Sequence, residues 1–458
     1  MHDSLNSPMT SVETRAATGL AMVFAFRMLG MFMVLPVLAT YGQDLAGATP
    51  TLIGIAIGAY GLTQAFLQIP FGMVSDRIGR KPVIVLGMLL FAVGSIVAAQ
   101  ADSIGGVIAG RILQGCGAVS AAVMALLADL TREQHRTKAM AMIGMSIGVS
   151  FAVAMIVGPL LTKAFGLSGL FWSTAGMAML GLLIVLVWVP TPNKRLFHRE
   201  ASVAREAMAS TLRNGELLRL NAGIGILHGL LMASFIGLPL ALVEHAGLAR
   251  DQHWWVYLTA LLVSFFSMVP FIIYGEKQRQ MKRVLCGAIV VLALSEVYFA
   301  LIGGGQTAWV FGIIVFFTAF NLLEASMPSL VSKVAPAGGK GTAMGVYSTS
   351  QFLGSAVGGM AGGWMYSTLG LDGLFIACAV LALIWLGIAG TMREPPYVTS
   401  VRLDLREQHV PQATLMARLS ALAGVAEVLV IEEEQAAYLK VDSQVLDRAA
   451  LEQALAGS

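Results

Sequence analysis

The sequence predicts an all-α membrane protein of twelve transmembrane helices in two six-helix halves. A small C-terminal α+β unit of ferredoxin-like order (βαββα) follows them. Three observations carry this. Of 458 residues, 57% are hydrophobic and only 12% charged, where a soluble chain carries about 25% charged residues; mean hydropathy is +0.77. Apolar runs long enough to cross a bilayer, about 17–25 residues each, occur twelve times. After Arg393 the composition turns polar, at the helix-breaking Glu394-Pro395-Pro396.

The first sixteen residues are polar and form an N-terminal segment. No small-residue cleavage site follows a short apolar core, so the run from Ala17 is expected to be a retained first helix rather than a signal peptide. The first half covers 17–190, with spans at 17–42, 51–74, 83–101, 105–130, 137–165 and 169–190. A polar, basic linker at 191–216 carries Lys194, Arg195, Arg199, Arg205 and Arg213. The second half, 217–392, has spans at 217–243, 253–275, 284–303, 307–333, 341–368 and 372–391. Residues 393–397 link it to the soluble unit, 398–458. There Val398–Arg406 alternates as a half-buried strand does, and Pro411–Ala423 is amphipathic, with Leu415, Leu419 and Leu422 inward. Val425–Glu432 and Ala436–Val441 pair across the acidic turn Glu432–Gln435, and Leu446–Ala456 closes the unit. At about 60 residues such a unit is marginal alone.

The placement of basic residues sets the expected orientation. With the N-terminus inside, twenty of the 29 lysines and arginines fall in cytoplasmic segments before the tail, against Lys163 and Arg250 on the opposite side. This is the positive-inside pattern, and both termini are expected in the cytoplasm. A net charge of +3 gives no case for nucleic acid. Cys116, Cys286 and Cys378 lie apart in apolar runs, with no CxxC, and read as small packing residues. No transition-metal site is expected.

Gly72–Lys81 is the densest polar stretch between two spans. Gly72, Asp76 and Arg80 are four apart, Arg77 and Lys81 flank them, and Gly79 supplies the bend. A carboxylate and a guanidinium at a membrane edge lose water and need partners. The segment is echoed after span eight by Glu276–Lys282, without the glycines, which suggests two parallel halves. Within the spans, an ionisable residue costs about 2.5–3.5 kcal/mol on insertion scales and should face protein or water. Arg27 and Arg111 in the first half meet that description, as do Glu296 and Glu324 in the second. Glu324 and Asn321, three apart, share a helix face and can line a polar cavity. A membrane carboxyl that exchanges a proton is what a proton-driven carrier needs; Glu296 has the alternative of a hydrogen-bonded staple. His228 in span seven can shuttle protons or pack as a hydrogen-bonding group. Gly158-Pro159 in span five can bend the helix and admit close packing.

Residues 72–82, Gly-Met-Val-Ser-Asp-Arg-Ile-Gly-Arg-Lys-Pro, resemble the loop 2–3 signature of the major facilitator superfamily, in its drug:proton antiporter-like branch. Arg111–Gly117, which includes Gln114, resembles that family's second motif. The appended tail is similar to the layout of the bacterial YajR-type transporters. The resemblance implies that Asp76 lies against the start of span eleven, near Gly341 and Thr342, where a helix N-terminus favours negative charge. It implies that Arg80 pairs with Asp129, the whole latching the halves in the outward-facing state, and it links Arg111 to proton transfer. Gly158-Pro159 sits where the family has its antiporter motif. Ala154 replaces an expected glycine there, and no glycine pair follows Thr162.

The expected function is secondary transport of a small molecule by alternating access. It is taken as proton-coupled efflux in a bacterial inner membrane, with the proton gradient as energy source and no cofactor. Membrane lipid and a small-molecule substrate are the expected partners, and the protein is expected to act as a monomer. The competing readings are a proton-coupled uptake symporter and, from another class, a membrane sensor signalling through the C-terminal unit. No nucleophile–base set, metal cluster or phosphate loop points to an enzyme.

Overall fold

The computed structural model describes residues 8–191, 208–336 and 340–397, and in the tail 399–405, 412–431, 436–442, 445–447 and 450–451. Among the described residues, ten helices are long and apolar enough to cross a membrane. Two of them, α7 (Glu133–Val187) and α12 (Lys340–Gly390), run to 55 and 51 residues, about twice what one crossing needs. Each contains one residue outside helical geometry, Gly166 (φ 67°) and Gly370 (φ 73°). Only glycine takes that backbone without strain, and these two breaks divide the ten helices into twelve membrane-length segments.

The first half consists of α1 (Ser11–Phe32), α2 (Leu35–Tyr41), α3 (Pro50–Ile78), α4 (Arg80–Ala99), α5 (Ile104–Cys116), α6 (Ser120–Leu130) and α7. Helix α1 starts in a capping box: Thr10 accepts from Glu13 N and its own N–H donates to the Glu13 carboxylate. Helix α3 starts at Thr49 with Pro50 in the first turn, the position where proline's missing N–H costs nothing. The fourth span is not continuous. Helix α5 stops at Cys116 and α6 restarts at Ser120, a midspan break that the expected single helix at 105–130 did not include. Helix α7 stays helical through Gly158-Pro159, and its break at Gly166 is the turn expected between spans five and six. Gly158 serves close packing: a Cβ on it would lie 2.6 Å from the Met33 carbonyl.

The second half consists of α8 (Gly215–Glu244), α9 (His253–Lys277), α10 (Met281–Leu301), α11 (Gln306–Val334) and α12. The halves meet along a glycine seam between α3 and α12. A Cβ on Gly54 would lie 2.7 Å from Gly363 Cα, and one on Gly61 would lie 2.8 Å from the Phe352 carbonyl. Three polar contacts continue the seam at the end away from the basic loops: Thr51–Ser367 (3.1 Å), Arg250–Asp44 (3.0 Å) and Lys163–Asp251 (2.6 Å). At the basic end the contacts run within each half. Arg80–Asp129 and Lys81–Val189 O belong to the first, Lys333–Glu276 and Arg393 N–Glu216 to the second. A Cβ on Gly341 or Gly345 there would meet nothing within 4 Å. Among the described residues, polar contacts pin the halves together at one end, and the start of α12 stands open at the basic one.

The tail holds β1 (Thr399–Asp404), α13 (Gln412–Ser420), β2 (Val425–Ile431) and β3 (Ala436–Val441). The antiparallel sheet has the order β1-β3-β2. Leu415 and Leu419 of α13 are buried on Val430, Ala437, Leu439 and Val441. The acidic turn Glu432–Gln435, most of the expected closing helix and the linker residues Lys194, Arg195, Arg199 and Arg205 lie outside the described residues. The tail is tied to the second half. Arg279 pairs with Asp442 (2.8 Å), Lys440 donates to the Lys333 carbonyl (3.1 Å), and Met281 N donates to the Tyr397 hydroxyl (2.9 Å).

Candidate functional site

Three polar clusters stand out against the apolar bulk, and the first lies at the basic rim. Gly79, at φ 107°, turns the chain between α3 and α4 and brings Arg80 back over the last turn of α3. The Arg80 guanidinium donates to Ser75 Oγ (2.8 Å), pairs with Asp76, and reaches Asp129 on α6 at 3.4 Å. Arg80 and Asp129 side chains are 14% and 13% exposed, whereas Asp76 is 58% exposed. Asp76 therefore faces Arg80 and solvent, and the space at Gly341 is open. The expected approach of Asp76 to span eleven is not made in this structure, where the start of α12 stands open at that end. Arg77 is exposed, Gly72 approaches Ala121 (3.4 Å from an added Cβ), and Lys81 caps the Val189 carbonyl (2.8 Å). Ser75, unremarkable in sequence, is the buried hub: its hydroxyl donates to the Gly72 carbonyl. Near Asp129, buried Glu13 takes the Arg132 side chain at 2.9 Å, and this contact was not foreseen either.

The second cluster fills the interior of the first half. Arg27 and Arg111 are each 1% exposed. Arg27 donates to Gln64 Oε1 and to Ser120 Oγ (3.0 Å). Arg111 donates to Gln114 Oε1 (2.9 Å) and to the Ala56 carbonyl (3.3 Å), and Gln114 donates on to Ser95 Oγ (2.8 Å). Both guanidinia approach the Tyr60 ring, at 5.8 and 5.0 Å from its centroid. The sequence signal for Gln64 and Gln68 was present in principle: two amides one helical turn apart in an apolar run.

The third cluster lies in the second half. His228 on α8, Glu324 on α11 and Gln351 on α12 converge. Gln351 Nε2 lies 2.7 Å from His228 Nε2 and donates to Glu324 Oε1 at 3.4 Å, and His228 Nε2 is 3.8 Å from Glu324 Oε2. The Glu324 side chain is 36% exposed and that of His228 8%. Among the described residues, His228 Nδ1, Glu324 Oε2 and the buried Tyr347 hydroxyl have no hydrogen-bond partner, an unusual concentration for buried polar atoms. Asn321 does not join them; it donates to Ser264 Oγ (2.8 Å). Glu296 is remote from this group, fully buried, and takes a hydrogen bond from Ser234 Oγ (2.7 Å). That is the staple alternative. Sequence reading named His228 and Glu324 separately but missed Gln351 and the buried hydroxyl of Tyr347.

Between the second and third clusters runs an aromatic contact across the halves. Phe151 of α7 sits 6.2 Å from Phe317 and 6.4 Å from Phe320 of α11, and Phe320 lies 6.0 Å from the His228 ring. The exchangeable groups on α8 and α11 therefore adjoin the surface on which the halves touch.

Comparison with known proteins agrees with this architecture. The family model described as Major Facilitator Superfamily matches residues 20–359, and that of the YajR YAM domain matches residues 401–457. The chain is 52% identical over 450 residues to the inner membrane transport protein YajR of Escherichia coli strain K12, covering 98% of each. It is 27% identical over 342 residues to the multidrug resistance protein MdtH of Yersinia enterocolitica, covering 74% of this chain and 84% of that one. Among solved structures, a bacterial homolog of the human lysosomal transporter Spinster, in an inward-facing and occupied conformation, superposes with a TM-score of 0.68. It is 13% identical, and the match covers 83% of this chain and 97% of that one. Helical halves, rim signature and family match together place the chain in the Major Facilitator Superfamily of membrane transporters, with a YAM-type domain at its C-terminal end.

Proposed function

We propose that the protein is a proton-coupled exporter of small molecules in a bacterial inner membrane, working as a monomer by alternating access with both termini in the cytoplasm. Twenty basic residues against two support the orientation, and the open basic end is then the cytoplasmic mouth. The name of the E. coli relative supports the inner membrane. That of the Yersinia relative supports efflux. The tail is read as ferredoxin-like without its last strand, supported by the order β1-β3-β2.

One observation carries proton coupling: Glu324, His228 and Gln351 meet beside the inter-half contact with three buried polar atoms left open. Glu324 takes and releases the proton, and His228 and Gln351 hold whichever form it is in. A change of charge there changes the cost of closing apolar Phe151 and Phe320 over it, since an ionised carboxylate resists burial. The rim cluster supplies the latch. When the basic end closes, Asp76 swings from Arg80 towards the start of α12, and Arg80–Asp129 stays as its fixed base. Arg111 and Gln114 keep the first half rigid while this happens.

The test is flux in proteoliposomes with an imposed pH gradient and a panel of candidate substrates. Glu324→Gln is expected to lower gradient-driven flux at least 100-fold while leaving exchange without a gradient within threefold. A variant that retains gradient-driven flux removes Glu324 from the mechanism.

A further inference from the structure

The break in the fourth span creates an unusual local field. Helix α6 begins at midspan, and its N-cap residue, Val119, contributes no side-chain hydrogen bond. The first backbone bond of α6 runs from Val123 N to Val119 O, so the N–H groups of the preceding turn have no partner inside the helix. Such a terminus carries about half a positive charge. Against its first residue, Ser120, lies Arg27, 1% exposed, with Nη1 3.0 Å from Ser120 Oγ. The Arg27 Nε has no acceptor. A second guanidinium, Arg111, lies against the same Tyr60 ring as Arg27, 5.0 Å from its centroid.

Arginine stays protonated in proteins, and a buried cation without a counter-charge is costly. Among the described residues, the hydrogen-bonding partners of Arg27 and Arg111 are amides, a hydroxyl and a backbone carbonyl, with no carboxylate. Gln64 Oε1 occupies the place an anion would take on Arg27. Gln64 itself has alternative bonds at hand, to Gln68 Oε1 (3.4 Å) and Ser120 Oγ (3.5 Å), onto which it can fall back. Broken membrane helices in other transporters point their N-termini at anionic substrate groups.

We propose that Arg27, Ser120, Gln64 and the N-terminus of α6 form an anion-binding subsite, and that the transported substrate carries a carboxylate or similar anionic group. This rests on the alternating-access reading and names its substrate class; proton coupling through Glu324 is not needed for it. The anion displaces the Gln64 carbonyl from Arg27 and takes the open Nε and the free N–H groups of α6.

The test uses purified full-length protein in detergent, without any gradient. Sodium bromide and sodium benzoate separately replace sodium HEPES at constant ionic strength, and binding is read from the melting temperature. Wild type is expected to show a saturable rise with benzoate. Arg27→Gln is expected to weaken it at least tenfold, and Arg279→Ala, at the tail contact with Asp442, to bind as wild type does. Arg27→Lys, which keeps the charge but loses the planar fork, is expected to weaken benzoate more than bromide; this variant also serves if Arg27→Gln does not fold. Saturation by benzoate alone assigns the subsite to a carboxylate head group, and competition between the two assigns it to any small anion. No saturable effect in wild type, or equal effects in wild type and both Arg27 variants, overturns the proposal. Because the flux test with Glu324→Gln reads a different quantity, failure of one is separable from failure of the other.

Discussion

Away from the rim, where buried Glu13 pairs with Arg132, the ionisable groups inside the first half are guanidinia, Arg27 and Arg111, each held by two polar groups. Inside the second half they include buried Glu296 and His228 and half-buried Glu324, each of which leaves a polar atom without a hydrogen-bond partner. The two halves share a plan of six spans but differ in the kind of charge they bury. Arginine holds its proton at any ambient pH, so the first half presents a permanent positive interior. On the proposed proton coupling, the carboxyl and imidazole groups of the second half supply a charge that changes, against the fixed field of the first.

Three substitutions break or sharpen that contrast. The largest effect is expected from Arg111→Ala, which leaves Gln114 Oε1 without its donor, removes the second donor to the Ala56 carbonyl and takes a cation from the Tyr60 ring. Hydrogen bonds to charged groups contribute about 1.5–3 kcal/mol each, so a loss of about 3 kcal/mol is expected, read as a lower midpoint in thermal unfolding. If Arg111→Ala costs no more than a surface change, the first half is not a wired scaffold. Glu296→Gln comes next. It keeps the acceptor for Ser234 and removes only a charge, so stability should move by about 1 kcal/mol or less and gradient-driven flux should persist. A collapse of flux in this variant would mean that Glu296, not only Glu324, exchanges protons. The smallest effect is expected from Arg279→Ala. Its pair with Asp442 is partly exposed, and such pairs contribute about 0.2–1 kcal/mol. The expected readout is faster proteolysis between residues 393 and 397, with the membrane part unaltered.

Much of the fold was legible because its signals are long-range and redundant. Expected span ends at 165 and 169, and at 368 and 372, bracket Gly166 and Gly370, where the two long helices break. Alternation placed β1, β2 and β3 within two residues or so of their observed ends. The break between α5 and α6 was not legible, since Gly117-Ala118-Val119 is as apolar as a continuous span. At the candidate site, charge was visible but its surroundings were not. Glu296 and Glu324 look alike in sequence, and only the packing of α8 and α12 separates a stapled carboxylate from an open one. Single neutral groups such as Ser120 and Gln351 carry no signature in an apolar run, yet they are what the charged groups touch. The Asp76 contact expected across the rim is not made in this structure, where Asp76 pairs with Arg80.

Lys333 closes off one further point. Its ammonium bonds Glu276 on α9 and lies 5.2 Å over the Tyr397 ring, while its carbonyl accepts from Lys440 in the tail. A single residue thus moors a helix, the linker and the β-sheet together. As the second half tilts, the small domain must be carried along like a pennant on its mast, so a dye attached to the tail and a second on the first half would register each stroke as a change in energy transfer.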